Sequence, residues 1–431
     1  MNFNLFKRPY QIMEIKYIFR NFFQSIKFNA LRIDYNPVDY EQRNISWTFS
    51  KIKRAVLITL NVWISTIFLL FIVICSNNDY LISIDTIDMI FKSKRNDFLI
   101  IEMIIVFILR ECLYYYHLFE FLQYKFKWNN FLMKYCHYND NELSTEYRNH
   151  LIQFYQKLRF IITISNRIFT IGILIIIIIG NYFIFTLYAS GQINLIKLII
   201  SAIFFLSFNG QCIYIVYDSL LLLIGMVFMI EFFRIRFKQL SIKSMNLFEN
   251  LIKSSKRKRK LFWYRFHSDY VHLYSETDQF NQILRYILLF FETMSKSFFV
   301  ICLLYYSHQT KMYLQNTVVT LTFLLIFCLL SSLNFLIAHL PSYNRNCWLS
   351  VHRWIARSQW ANVERKKHRN RLPLRYSLKS RLFLQTMTRN QFGFTCGRMF
   401  FISKFKYIQI FILNFHMAIK FYKKICLSQT E

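Results

Sequence analysis

The last apolar segment of the chain carries polar side chains at a spacing suited to ion conduction. They recur at intervals of three, seven, four and three residues. These residues are Lys406, Gln409, His416, Lys420 and Lys423. The intervals fit the 3.6-residue turn of an α-helix, so the polar groups share one face, and Leu413 fills the gap in it. A polar stripe along a membrane helix indicates a face turned toward water or protein rather than lipid.

Two interpretations of this stripe remain open at the level of sequence. In the first, the face lines a pore, and Lys420 and Lys423 form basic rings, which favour anions. In the second, the same two lysines extend their long side chains to the outer membrane surface, where the ammonium groups reach water.

A second set of residues suits the binding of a small molecule. With the orientation derived below, they lie toward the outer side of the predicted spans. They are Glu102, Tyr182, Tyr217, Asp218, Tyr305, Tyr306 and Thr320. Convergent polar and aromatic groups line ligand pockets, whereas an interfacial aromatic belt with ordinary packing is the alternative interpretation.

Other charged groups indicate structure rather than catalysis. Glu292 and Lys296 stand four residues apart with the acid first, the favourable order for an intrahelical pair. The two charges either neutralise each other or take part in gating. The run Lys256–Lys260 (KRKRK) is interpreted as a basic segment near anionic lipid.

The sequence has no GxSxG, HExxH or P-loop motif and no CxxC pair, which predicts a protein that is not an enzyme and has no cofactor or metal.

The composition indicates a membrane protein. Hydrophobic residues make up 55% of the 431 residues, and the formal net charge is +31. In a soluble chain that charge would suggest nucleic acid. Here the basic residues lie between apolar spans, so they indicate orientation, and no nucleic-acid partner is expected.

Seven segments approach the roughly 20 apolar residues that cross a bilayer. They are Ala55–Ser76, Phe98–Leu122, Ile162–Tyr188, a fourth ending near Phe233, Ile287–Tyr306, Thr317–Leu340 and Ser403–Tyr422. The apolar stretch Ile196–Phe208 is interpreted as part of the fourth helix or as an outer-leaflet piece, because a separate span would break the alternation of charged and uncharged loops.

The charge of the loops predicts the orientation. Lys and Arg are abundant in the N-terminal segment and in the loops after spans two, four and six, and scarce after spans three and five. Positive loops stay in the cytosol. The predicted fold is therefore an all-α membrane protein with seven transmembrane helices, a cytoplasmic N-terminus and an extracellular C-terminus, the reverse of a G-protein-coupled receptor.

This topology divides the chain into four parts. Residues 1–54 form a cytoplasmic segment, 55–340 the first six spans with cytoplasmic extensions, 341–402 a cytoplasmic helical anchor, and 403–431 the last span with a short outer tail. The flanks of loop four show helical periodicity. They are expected to pack with loop six in a cytoplasmic bundle that carries the subunit contacts.

The C-terminal region, residues 381–424, resembles that of arthropod gustatory receptors. Phe394, Thr395, Cys396 and Gly397 match a stretch of the type F-T-A/C-G, and the preceding LFLQ (Leu382–Gln385) is also similar. Phe400, Phe401 and Ser403 match more loosely. The family's closing Thr-Tyr and Gln-Phe pairs read His416-Met417 and Lys423-Lys424 here, which is typical of a divergent member, such as one from a mite-like lineage.

The resemblance implies a ligand-gated ion channel of the plasma membrane. Its subunits would form a homo- or hetero-tetramer, the last helix of each subunit would line the pore, and a small-molecule tastant and membrane lipids would be the partners. The alternative is a multi-pass transporter or membrane-embedded enzyme of an unrelated family. The scarcity of Gly (7) and Pro (4) disfavours a transporter, because transporters build their sites from broken helices.

Overall fold

The computed structural model describes most of the chain. The described ranges are 15–33, 35–45, 48–74, 97–136, 143–191, 194–250, 256–308, 327–328, 330–365, 374–389 and 392–428. Within these ranges the chain is mostly helical. The helices are α1 Ile15–Ala30, α2 Pro37–Glu41, α3 Phe49–Ile74, α4 Asp97–Leu122, α5 Lys127–Cys136, α6 Thr145–Ala189, α7 Leu195–Asn250, α8 Lys256–His308, α9 Leu340–Arg365, α10 Leu374–Arg389 and α11 Lys404–Ser428. Strands β1 Thr395–Cys396 and β2 Phe400–Phe401 form an antiparallel hairpin.

Three helices are long and apolar enough to cross a membrane. The candidate spans are Ile52–Leu70 in α3, Thr145–Ala189 in α6 and Leu198–Met245 in α7. At 1.5 Å per residue the second and third are about 68 and 72 Å long, whereas the hydrocarbon core is about 30 Å thick. If these helices cross a bilayer, more than half of each extends beyond the hydrocarbon core.

Ile196–Phe208 belongs to the same helix as the segment that follows it. Helix α7 runs without a break from Leu195 to Asn250. The sequence left two alternatives for this stretch, part of the fourth helix or an outer-leaflet piece, and the structure shows one continuous helix through it. The position of the membrane span along α7 stays a prediction. Neither Gly210 nor Gly225 interrupts the helix.

The chain divides into two compact units. The first comprises Met1–Phe228, Met294–Phe327 and Ala418–Glu431, and the second comprises Met229–Thr293 and Cys328–Met417.

In the first unit, α3 presents an apolar face outward and a face of mixed polarity inward. Its large exposed side chains recur every three or four residues. They are Val56, Leu57, Leu60, Trp63, Ile64, Ile67 and Leu70. The other side is buried and holds Ala55, Val62 and Leu69 together with Ser65 and Thr66. An exposed face that is wholly apolar suits a helix with lipid on one side and protein on the other.

Helices α3 and α7 pack antiparallel. The rings of Phe68 and Phe204 are stacked, Ser65 and Ser207 are 3.3 Å apart through their hydroxyl oxygens, and the Asn61 amide donates to Gln211 Oε1 at 3.1 Å. As the residue number falls along α3, it rises along α7. Polar contacts between apolar helices of this kind fix the register of the pair.

Helix α1 is packed into the first unit rather than loose in solvent. Ile15, Ile18 and Phe19 are fully buried. The ring centroid of Phe19 lies 5.1 Å from that of Tyr135 in α5 and 5.6 Å from that of Phe228 in α7. The N-terminal segment therefore contributes to the core and does more than supply charge.

In the second unit, α8 packs against α9 and α10. Trp263 stacks on Trp354 with ring centroids 5.2 Å apart. The Tyr270 hydroxyl donates to Asn344 Oδ1 at 2.8 Å, and the Asn344 amide donates to the Met387 carbonyl at 3.3 Å. These contacts agree with the packing expected between the helices of loops four and six, whereas the cytoplasmic position of the bundle and its subunit contacts stay predictions.

Candidate functional site

The family-like motif forms a small buried hairpin just before the last helix. Thr395 pairs with Phe401 and Cys396 with Phe400, and the Ile402 amide donates to the Phe394 carbonyl at 2.9 Å. Phe394 is fully buried, with its ring edge toward Phe280 of α8 at 5.6 Å. A two-stranded ribbon this short is not stable alone, so its packing on α8 holds it in place.

Polar groups of α8 fix the hairpin backbone. Asn281 Oδ1 accepts hydrogen bonds from the Thr395 amide at 2.8 Å and from the Thr395 hydroxyl at 3.2 Å. The Gly397 amide donates to the Arg285 carbonyl at 2.7 Å. Residues 395 and 397 are thus hydrogen-bonded to successive turns of α8. The hairpin therefore attaches the segment that precedes α11 to α8.

Gly397 occupies a position where a side chain is disfavoured twice. Its φ is +59°, in the left-handed region, and a Cβ there would lie 3.0 Å from Leu289 Cδ2. The match to the glycine of the family motif therefore has a physical reason in this fold.

We expect Gly397→Ala to destabilise the hairpin by about 1–2 kcal/mol, because an L side chain in the left-handed region costs about that much. Thermal unfolding in detergent, followed by size-exclusion fluorescence, measures the effect. Gly172→Ala is the matched control, since a Cβ on that helical glycine meets no atom within 4 Å. Equal losses of stability in both variants would contradict the special role of Gly397 in the hairpin.

The hairpin leads directly into α11. The Ser403 hydroxyl accepts from the Lys406 amide at 3.3 Å, and the Ser403 carbonyl accepts from the Tyr407 amide at 2.8 Å. These bonds satisfy free amides of the first turn, as at a helix N-cap. The hairpin therefore links α8 to the start of α11 through hydrogen bonds.

Helix α11 has an aromatic face and a polar face on opposite sides. Tyr407, Phe411 and Phe415 follow each other with ring centroids 6.0 and 4.9 Å apart. Tyr407 also lies 5.8 Å from the ring of Phe335, in the helical stretch 330–338 of the second unit. The aromatic face thus contacts the protein at Tyr407, whereas Phe411 and Phe415 are exposed in the single chain.

The polar stripe lies on the other side of α11. Lys406 Nζ donates to Gln409 Oε1 at 3.1 Å, as expected for neighbours on one face. The side chains of the stripe from Gln409 onward are all exposed in the single chain. They are Gln409, Leu413, His416, Lys420 and Lys423. The helix therefore carries its polar groups on the face turned away from Phe335.

Burial shifts the pKa of two groups in the N-terminal half of α8. Burial raises the pKa of Tyr274, and the Asp278 carboxylate raises it further. Burial lowers the pKa of His267, whose ring lies 4.5 Å from that of Phe383. Both groups are therefore uncharged near pH 7 and pack against aromatic rings, His267 against Phe383 and Tyr274 against Phe392.

A buried ion pair, which the sequence patterns did not single out, lies in the first unit. Arg32 is 1% exposed and Glu111 3% exposed. The Arg32 guanidinium forms a bidentate pair with the Glu111 carboxylate, donates to the Thr59 hydroxyl at 2.8 Å, and lies 4.1 Å from the centre of the Tyr114 ring. It joins the N-terminal segment to α3 and α4. In the sequence, the charged residues Arg110 and Glu111 inside the otherwise apolar segment Phe98–Leu122 were the signal that could have revealed this pair.

Of the seven predicted ligand residues, the structure describes the side chains of Tyr182 and Tyr217. Tyr182 is 70% exposed and Tyr217 is half-buried. Glu102, Asp218, Tyr305 and Tyr306 lie on helices, but their side chains are outside the described part of the chain, as is Thr320 entirely. Their role in a pocket stays a prediction.

Within the described ranges, no group of three His, Cys, Asp or Glu side chains lies close enough to share a metal ion. No protein-family model matches the chain, and no curated protein matches it significantly.

Proposed function

We propose that this protein is a subunit of a ligand-gated ion channel of the gustatory-receptor type, resident in the plasma membrane and opened by a small chemical ligand. The observation that carries the proposal is the division of α11 into two faces. Tyr407 on the aromatic face contacts Phe335, and the polar stripe from Gln409 to Lys423, on the opposite face, is exposed in the single chain. In a bilayer such a stripe requires water or other subunits beside it, and a pore shared by several subunits supplies both.

The hairpin is the proposed coupling element. It is hydrogen-bonded to α8 through Asn281 and Arg285, and it leads within two residues into α11. Ligand binding between the spans would move α8, and the hairpin would carry that movement to the pore-lining helix. This is the mechanical requirement of a gated channel.

The proposed membrane topology has seven spans with the N-terminus in the cytosol. The three candidate spans and the apolar exposed face of α3 support it. The antiparallel contacts of α3 and α7 also refine the fourth span, which we place around the part of α7 between Phe204 and Tyr214, beside Phe68 to Ile58 of α3.

This refinement changes the proposed ligand pocket. Tyr217 and Asp218 follow Tyr214 along α7, on the side where α3 begins, and therefore belong to the inner side of the membrane. The proposed outer pocket keeps the other five residues. They are Glu102, Tyr182, Tyr305, Tyr306 and Thr320. A pocket in the outer half suits a receptor for an external chemical.

Whole-cell recording tests the function directly. Cells expressing the chain, alone and with candidate partner receptors, are exposed to sugars, bitter compounds and amines. We expect at least one class to evoke a current that untransfected cells lack. Surface-labelled protein that gives no current with any compound or partner would contradict the proposal.

We expect the two chain ends to lie on opposite sides of the membrane. An epitope placed after Glu431 should label on intact cells, whereas one before Met1 should label only after permeabilisation. An intracellular soluble fusion partner provides the control for membrane integrity. Labelling of both ends on intact cells would contradict an odd number of spans.

A further inference from the structure

A cavity of about 470 Å³ lies between the beginning of α3 and the middle of α7. Its lining residues are Lys53, Arg54, Leu57, Ile58 and Tyr214. All of them belong to the first compact unit. The cavity is open at the surface of the unit, on the face where Leu57 is 56% exposed.

The charge of the cavity is one-sided. Lys53 and Arg54 are exposed at its α3 end, and its five lining residues include no carboxylate. Two adjacent cations at one end of a cavity produce a field that attracts an anion.

The rest of the cavity is apolar and follows a membrane helix. Lys53 and Arg54 stand at the start of the candidate span Ile52–Leu70, and Leu57 and Ile58 continue the wall one turn further into it. Beyond them the exposed face of α3 continues through Leu60 and Ile64. A ligand with an anionic end and an apolar chain matches this order of groups along the helix.

We infer that the cavity binds an anionic phospholipid, with its phosphate between Lys53 and Arg54 and its acyl chain along Leu57, Ile58 and the α3 face. The inference rests on the proposed insertion of α3 into a membrane, with its first turn at the cytoplasmic leaflet, where anionic lipids concentrate. It does not require channel activity. Binding would fix α3 against α7 beside the Asn61 and Gln211 contact.

The test uses the full-length chain in nanodiscs of phosphatidylcholine, with and without phosphatidylserine, and measures co-purified lipid by mass spectrometry together with the Tm. We expect phosphatidylserine to be retained preferentially and to raise the Tm. In Lys53→Gln/Arg54→Gln the preference should fall roughly 25-fold, because each cation near the surface contributes a factor of roughly five.

The matched control is Lys379→Gln/Arg381→Gln, which removes the same two charges from exposed positions on α10. It should keep the preference. An equal loss in the control, equal retention of both lipids by the wild type, or equal stabilisation by inorganic phosphate alone in neutral detergent would overturn the lipid site. A lipid preference that is lost in the cavity variant, in a protein that never conducts, would leave this site standing and remove the channel proposal.

Discussion

Replacing Arg32 with methionine should destabilise the first unit by about 3–5 kcal/mol, the usual result of leaving one charge of a buried pair uncompensated. The substitution leaves the Glu111 carboxylate buried without the guanidinium that binds it, and removes the bond to Thr59. Lower Tm in detergent and lower surface expression are the measurements. Because Arg32 joins three segments, we expect the loss to exceed that of Gly397→Ala.

A double variant distinguishes the effect of the ion pair from the effect of side-chain packing. Arg32→Met/Glu111→Leu removes both charges, and apolar replacement of a complete buried pair is often tolerated. We therefore expect the double variant to be more stable than either single one. A double variant with the summed loss of the two singles would show that the charges do not act as a pair.

Arg43 provides a matched control for the same substitution. Both arginines have left-handed backbone conformations, with φ of 56° at Arg32 and 57° at Arg43, and both lie over a tyrosine ring. Arg43 is exposed, and its guanidinium is 5.8 Å from the centre of the Tyr124 ring. Arg43→Met should change the Tm little. Equal losses at both positions would indicate a backbone effect instead of burial.

The sequence predicted the helices well because helical periodicity and apolar length are local properties. The shared face of Lys406 and Gln409 on α11 followed from spacing alone, and the treatment of Ile196–Phe208 as part of the fourth helix followed from the charge of the loops. The hairpin at Phe394–Gly397 was found as a motif, but its contacts with Asn281 and Arg285 join residues more than a hundred positions apart. Such contacts have no local signal.

The role of basic residues was harder to predict. Arg32 counted among the positive charges of a cytoplasmic segment, yet it is buried against Glu111. Hydropathy also cannot separate the two parts of α7. Leu195, Ile196 and Ile199 are exposed, whereas Met226, Phe228 and Met229 are buried in protein. Both parts are apolar, and only tertiary packing distinguishes a lipid-facing stretch from a core stretch.

The proposed pore makes a specific prediction about ion selectivity. We expect Lys420→Gln/Lys423→Gln to shift the reversal potential by tens of millivolts toward that of the cation under a tenfold salt gradient, where the limits lie about 59 mV on either side of zero. In a tetramer these positions would contribute eight positive charges to two rings, and basic rings favour anions. Whole-cell recording in asymmetric potassium chloride measures the shift.

Lys404→Gln is the control for this change, because Lys404 lies on the same helix but about 140° from the centre of the polar stripe, at 100° per residue. It removes a charge without altering the proposed rings, so the reversal potential should stay constant. A conducting double variant with an unchanged reversal potential would place Lys420 and Lys423 outside the pore. Their long side chains would then serve to reach the membrane surface, and the hairpin would position a peripheral helix instead of a gate.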